Sequence, residues 1–184
     1  LQQRSYVQAH GTGTPQNRTT ESHILSTVAK ANGIAHWPIA ALKSYIGHSL
    51  ASSAGDQLSA SLGMWRYGII PGIASTESIA ADVNQEHRDV GNEGMDAVLI
   101  NSKGFGGNNA TASILAPHIA LRMLEKKHGT AKMSAYAQKN EAVQEHVQRY
   151  DEAAIAGTAQ SIYRFDHNVM DADSVAVAAN SVDI

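Results

Sequence analysis

Tyr6-Val7-Gln8-Ala9-His10-Gly11-Thr12-Gly13-Thr14-Pro15 is the stretch that decides the fold. Residues 6–9 are partly β-prone and read as a short strand, and the glycines and proline after them break any regular element. Thr19 or Thr20 can then cap a helix that runs to Lys30. The order strand, loop, helix recurs directly downstream. Residues 38–42 suit a short buried strand, residues 43–49 a polar loop, and residues 51–67 a helix rich in small side chains that allow close packing.

Further along, Ala97-Val98-Leu99-Ile100 lies within residues 95–101 as a continuous apolar run, the mark of a strand covered on both faces. Residues 110–115 alternate small and apolar side chains after a glycine turn, so the two segments can pair as a hairpin. The expected fold class is α/β, a mixed sheet with helices on its faces and an irregular stretch, residues 69–94, wrapped over its surface. Beyond Pro117 the texture changes to Ala, Lys, Glu and Gln. Ala120, Leu121, Met123 and Leu124, then Ala142, Val143 and Val147, stand at helical spacing. Two regions follow: residues 1–116 as the sheet-bearing domain and residues 117–184 as a mainly helical extension packing on it. Ser161-Ile162-Tyr163-Arg164-Phe165 reads as one more strand, and the last residues as polar and frayed.

Bulk composition narrows the function classes. With 184 residues, 43% of them hydrophobic, 17% charged and a formal net charge of -3, the chain reads as a globular protein with one main core. Basic runs with interleaved aromatics are missing, which argues against a nucleic-acid partner. The apolar stretches are too short for a membrane span, and Leu1-Gln2-Gln3-Arg4 has no signal-peptide layout, so the expected location is cytoplasmic. Because a strand begins almost at Leu1, the chain reads as a piece of a longer polypeptide. Having no cysteine, it offers no disulfide, no thiolate metal site and no cysteine nucleophile of its own.

Three glycine-rich loops follow expected strands, at residues 10–15, 43–48 and 104–109, where α/β folds gather their chemistry. Glycines there let backbone or polar side chains approach a ligand, although any one such loop alone is also an ordinary tight turn. Nucleotide patterns fail on spacing: the third glycine of the dinucleotide fingerprint would fall at Gln16 or Asn109, and no Walker lysine follows. Nine histidines form no His-Glu-x-x-His and no close pair, so no metal site is expected. Gly47-His48-Ser49-Leu50-Ala51 is similar to the nucleophile elbow of malonyl- and acyl-transferases, with Ser49 as nucleophile. Against that reading, polar Lys43-Ser44 intervenes between strand and serine, and Ala51 replaces the last glycine of the elbow.

Taken together, over about residues 5–116, the three loops resemble the C-terminal half of the β-ketoacyl-acyl-carrier-protein synthases, the condensing enzymes of fatty-acid and polyketide synthesis. Residues 6–15 resemble the family's first histidine motif, Lys43-Ser44 with Gly47-His48 the second, and Gly104-Phe105-Gly106-Gly107-Asn108 its glycine-rich gate. The resemblance implies a thiolase-like αβαβα fold, of which this chain gives the second half. It also implies decarboxylative Claisen condensation of malonyl-acyl carrier protein with an acyl thioester. The cysteine carrying the acyl group would lie in the missing N-terminal half, and this chain alone would be inactive.

By the same resemblance, His10, His48, Lys43 and Phe105 are catalytic. Thr12 and Thr14 bind the phosphopantetheine arm, Gly104, Gly106 and Gly107 let the gate move, and Glu21 pairs with Lys43 as structural support. No cofactor is implied beyond the substrates' phosphopantetheine. The implied partners are acyl carrier protein, the N-terminal half and a second copy in a homodimer. A noncatalytic partner of the chain-length-factor kind is the alternative, against which His10, His48 and Lys43 all stand intact. Lys103, Asn17-Arg18 and Asn108 depart from the family pattern, and the extension after Pro117 suggests a divergent branch.

Overall fold

The computed structural model describes residues 4–73, 75–78, 88–89, 94–160 and 175–183. Strand β1 (Ser5–Gln8) leads through the first glycine loop into helix α1 (Pro15–Ala31). Strand β2 (Ile39–Ala40), a one-turn helix α2 (Lys43–Ile46) and helix α3 (Ser53–Tyr67) make the second unit. After the two-residue strands β3 (Ile69–Ile70) and β4 (Arg88–Asp89), β5 (Ala97–Lys103) and β6 (Asn109–Leu115) form the expected hairpin. Helices α4 (Pro117–His128) and α5 (Thr130–Ile155) follow, then β7 (Ala176–Val177) and β8 (Val182–Asp183).

The main sheet runs β2-β1-β5-β6, with β1 parallel to both neighbours and β6 antiparallel to β5. It is the mixed sheet expected from sequence. Period-two alternation along β1 sends neighbouring residues to opposite faces. Tyr6 joins Met64, Trp65, Val98 and Ile100 on the α3 side, while Val7 joins Leu25, Ala29, Trp37 and Ile39 on the α1 side. Each tryptophan also finds a partner for its indole N–H, Trp37 on Ser5 Oγ (3.0 Å) and Trp65 on the Met95 carbonyl (3.0 Å). Central β1 is thus buried from both sides, and its C-terminal end is held in place where the first loop begins.

Several boundaries differ from the sequence reading. Helix α1 opens at Pro15 rather than at Thr19 or Thr20, with Thr14 extended at the cap. Proline at the first helical position has its φ already set and lacks an N–H that would have had no partner. The supposed polar loop at residues 43–49 contains the α2 turn, which Gly47 ends at φ +78. Residues near the C-terminus form the β7–β8 pair instead of fraying. Much of the stretch 69–94, and the strand expected at 161–165, lie outside the described residues.

The chain divides into two compact units at Gly129, so α4 belongs with the sheet and not with the extension expected from residue 117. The attachment is local and polar. Asp96 takes two hydrogen bonds from the Arg4 guanidinium (2.7 and 2.8 Å) and a contact from His118 on α4 (3.0 Å), while Ile119 packs on the core. Those donors, Arg4 foremost, hold the Asp96 carboxyl well below the usual carboxylate range. The second unit holds α5 and the β7–β8 pair. Among the described residues no helix is long and apolar enough to cross a membrane.

Candidate active site

The first loop is built around Glu21, a buried carboxylate on α1. Its oxygens accept the backbone N–H groups of His10 (2.9 Å) and Gly11 (3.0 Å) and the side-chain amides of Asn17 (2.8 Å) and Asn101 (2.6 Å). Burial alone would raise its pKa, but these donors outweigh it and hold the carboxyl below its ordinary value. From α3, Gln57 reaches the same segment, its amide donating to the Ala9 carbonyl (2.7 Å) and the Gln8 carbonyl (3.2 Å). The backbone that presents His10 is therefore pinned from both faces of the sheet.

Gly11 is required at its place. It holds φ +55, and a Cβ there would stand 3.0 Å from Ala41 Cβ, whereas Gly13, at φ +71, has nothing within 4 Å. We expect Gly11→Ala to destabilise the fold by about 1–3 kcal/mol and Gly13→Ala by less, read by urea unfolding. Equal costs would show that the approach of the loop to Ala41 does not matter.

His10 is buried, and its Nδ1 accepts the backbone N–H of Lys103 at the end of β5 (3.2 Å). His48 leaves the second loop, and its Nδ1 accepts the backbone N–H of Leu50 (3.0 Å). An imidazole whose Nδ1 accepts carries its proton on Nε2, so both rings are Nε2–H donors in the neutral state. The ring centroids are 5.4 Å apart, edge to face. Leu50, next to this contact, stands at φ +59, in the left-handed region that side chains other than glycine seldom occupy.

Lys43 sits at the start of α2 with its Nζ buried and, among the described residues, without a hydrogen-bond partner. The expected contact pair with Glu21 is not formed, because Glu21 spends its oxygens on backbone and amide donors. The two act on each other through space: burial lowers the Lys43 pKa, and the charges of Glu21 and Asp56 oppose that shift. Burial, and then the Lys43 charge, lower the pKa of His10, favouring its neutral form. Among the described residues Ser49 donates to the Asp56 carboxylate and is hydrogen-bonded to no histidine that could serve as the base of a serine nucleophile.

The third loop, residues 104–108, closes on itself through Gly104 N–H to the Asn108 carbonyl (2.8 Å) and the Asn108 amide to the Phe105 carbonyl (3.0 Å). Gly106 and Gly107 take φ +78 and +82, and Phe105 projects with 94% of its surface exposed. A cavity of about 980 Å³ is lined by His10, His48, Thr12, Thr14, Lys103 and Phe105. Thr12 and Thr14 hydroxyls there lie 3.3 Å apart. A second cavity of about 410 Å³ holds Lys43, Glu21 and Arg18, and His48 and Thr12 line both spaces. The two imidazoles and the third loop thus meet in one space, with the ammonium group in the adjoining one.

Sequence reading missed Asn101, Gln57 and the amide role of Asn108. Asn17 was visible only as a departure from a family pattern, although its spacing of one helical turn from Glu21 is the signal that could have placed it. Asn101 and Gln57 come from distant segments, and nothing local in the sequence marks them.

Residues 2–77 match the family described as beta-ketoacyl synthase, C-terminal domain. The beta-ketoacyl-[acyl-carrier-protein] synthase FabY of Pseudomonas aeruginosa is 44% identical over 186 residues, covering 98% of this chain and 29% of that protein. The 3-oxoacyl-[acyl-carrier-protein] synthase 2 of Synechocystis is 30% identical, covering 58% of this chain and 26% of its own. The crystal structure of the ketosynthase FabY from P. aeruginosa matches with a TM-score of 0.78 and 43% identity, across 98% of this chain and 29% of that one. The fold is thereby that of the thiolase-like ketosynthases, as expected. The chain spans under a third of the length of these relatives, and its helical extension has a counterpart in FabY.

Proposed function

We propose, since the chain belongs to the β-ketoacyl synthase family as its C-terminal part, that it supplies the histidine and lysine side of a condensing centre. The observation that carries the reading is the matched state of His10 and His48: each has Nδ1 occupied by a backbone N–H, leaving two Nε2–H donors in one cavity.

The chemistry such a pair serves is decarboxylation of a malonyl thioester. Cleavage of the bond between C2 and the carboxylate releases carbon dioxide, and its electron pair passes into an enolate with negative charge on the thioester oxygen. Two fixed N–H donors stabilise charge at the place where it develops. C2 of the enolate then attacks the carbonyl of an acyl thioester. A tetrahedral oxyanion forms, to which the Phe105 backbone N–H donates, and its collapse expels the thiolate and leaves a β-ketoacyl thioester on the carrier. Burial, and then the charge of Lys43, favour the neutral form of His10, so that the ring donates without delivering a proton. Thr12 and Thr14 hold the amides of a phosphopantetheine arm, presented by acyl carrier protein. The thiol comes from the remainder of the full-length enzyme, since this chain has no cysteine.

Given acyl and malonyl carrier proteins, the 184-residue chain should yield no β-ketoacyl product, while the full-length enzyme does and keeps most of its turnover as Ser49→Ala. Turnover by the chain alone would remove the divided-centre reading. Loss of all activity in Ser49→Ala would favour the transferase reading. A thiol-free counterpart segment in the full-length protein would instead favour the noncatalytic partner.

A further inference from the structure

One face of strand β5 runs directly into the site. Period-two alternation puts Leu99, Asn101 and Lys103 on the same side of the strand, which pairs with β6 without a break. Leu99 packs with the α1-side core and the Asn101 amide reaches Glu21 on α1, so this face brings Lys103, the last residue of the strand, over the first glycine loop. The backbone N–H of Lys103 is held on His10 Nδ1, and its ammonium group stands close enough to act on that ring by charge. Lys103 lines the cavity of about 980 Å³ together with His10 and His48. Among the described residues no Asp or Glu lines that cavity, and Lys103 takes part in no ion pair.

A partly buried ammonium group beside a cavity without acids is matched by an anion that enters the cavity. We propose that Lys103 is a specificity-determining residue whose ammonium group receives the carboxylate of the malonyl thioester. The inference rests on the ketosynthase reading and adds to it the group that tells a malonyl from an uncharged acyl thioester at the extender position. Reach decides which anion is met. Lys103 starts beside His10, one of the two rings assigned to the thioester oxygen, and in a malonyl thioester only C2 separates that carbonyl from the carboxylate. The carboxylate therefore falls within one side chain's length of the ring. The phosphate of a phosphopantetheine arm lies at the end of the arm remote from the thioester, beyond the amides assigned to Thr12 and Thr14. Energetically, an ammonium group paired with the carboxylate stabilises the substrate and not the enolate, whose charge has moved to the oxygen between the imidazoles. Its contribution is to binding and discrimination, and not to the rate of decarboxylation.

The test uses the full-length enzyme and two probes: carrier protein bearing malonyl through an amide in place of the thioester, which resists decarboxylation, and its uncharged acetyl counterpart. Each competes with malonyl carrier protein in the condensation assay. The parent should bind the malonyl amide about tenfold or more tightly than the acetyl amide, the order of one charge-assisted hydrogen bond. Lys103→Met should bring the two within threefold by weakening the malonyl probe alone, and Lys103→Arg should restore the preference. With the true substrate, the Lys103→Met loss should fall on KM and not on kcat. Unchanged binding of the acetyl amide shows that the cavity of the variant is intact. A parent without the preference, or Lys103→Met that keeps it, would overturn the inference. Equal weakening of both probes in Lys103→Met would do so too, because Lys103 would then shape the cavity and not read charge. An enzyme that condenses malonyl carrier protein yet fails these comparisons overturns this inference alone, whereas one that neither condenses nor binds either probe overturns the ketosynthase reading with it.

Discussion

His48→Ala in the full-length enzyme is expected to lower malonyl decarboxylation about 10²- to 10³-fold, the usual cost of losing one of the donors that stabilise a developing oxyanion. Loading of the acyl group onto the nucleophile should continue, because in the proposed mechanism that step builds no enolate for Nε2–H to meet. Release of labelled carbon dioxide from malonyl carrier protein measures the first effect, and the mass of the acylated enzyme the second. His10→Ala should match it in decarboxylation, since both rings present the same donor atom to one cavity. Decarboxylation within tenfold of the parent in His48→Ala would remove the two-donor mechanism.

Glu21→Ala has the largest expected effect on stability. The substitution strands four donors at once, two of them backbone N–H groups at the turn that presents His10. Leaving buried donors unmet costs about 1–3 kcal/mol each before water or rearrangement recovers a part, so a loss of about 3–5 kcal/mol is expected in denaturant unfolding. The pH dependence follows from the sign of the shift. The folded-state pKa lies below the ordinary glutamate value, so the native state holds its proton less tightly than the unfolded one. Glu21 therefore contributes its stability fully above the unfolded pKa of about 4.3, and loses it as pH falls through the lower folded value. The parent should weaken over that acidic range and Glu21→Ala should weaken less. Parallel acid profiles for the two would show that another carboxyl governs the transition.

How much of this was legible from the sequence depends on the distance over which each contact acts. The hairpin of β5 and β6 was plain, because an apolar run followed by a glycine turn and alternation is a local signal. The two-sided burial of β1 was not, since Tyr6-Val7 looks the same whether one face or both are covered. His10, His48, Lys43 and the third glycine loop were singled out through their motifs. Their arrangement was not, and the assumed Lys43 pair with Glu21 failed for a reason only folding reveals. Asn101 comes from the far strand and Gly11 from the loop itself, and together with His10 and Asn17 they claim the carboxylate first. The α1 boundary slipped because Pro15 was taken as a breaker when it is a starter.

Leu50 gives the second loop a character beyond aim. A leucine in the left-handed region is a local strain of about 1–3 kcal/mol, and its backbone N–H is the one received by the His48 ring. The His48 ring supplies the acceptor and the Leu50 backbone the donor of this one contact. A variant lacking the ring would lose that acceptor, and Leu50 would then be expected to leave the strained conformation. Local backbone strain and the placing of the imidazole are thus coupled at this one peptide unit.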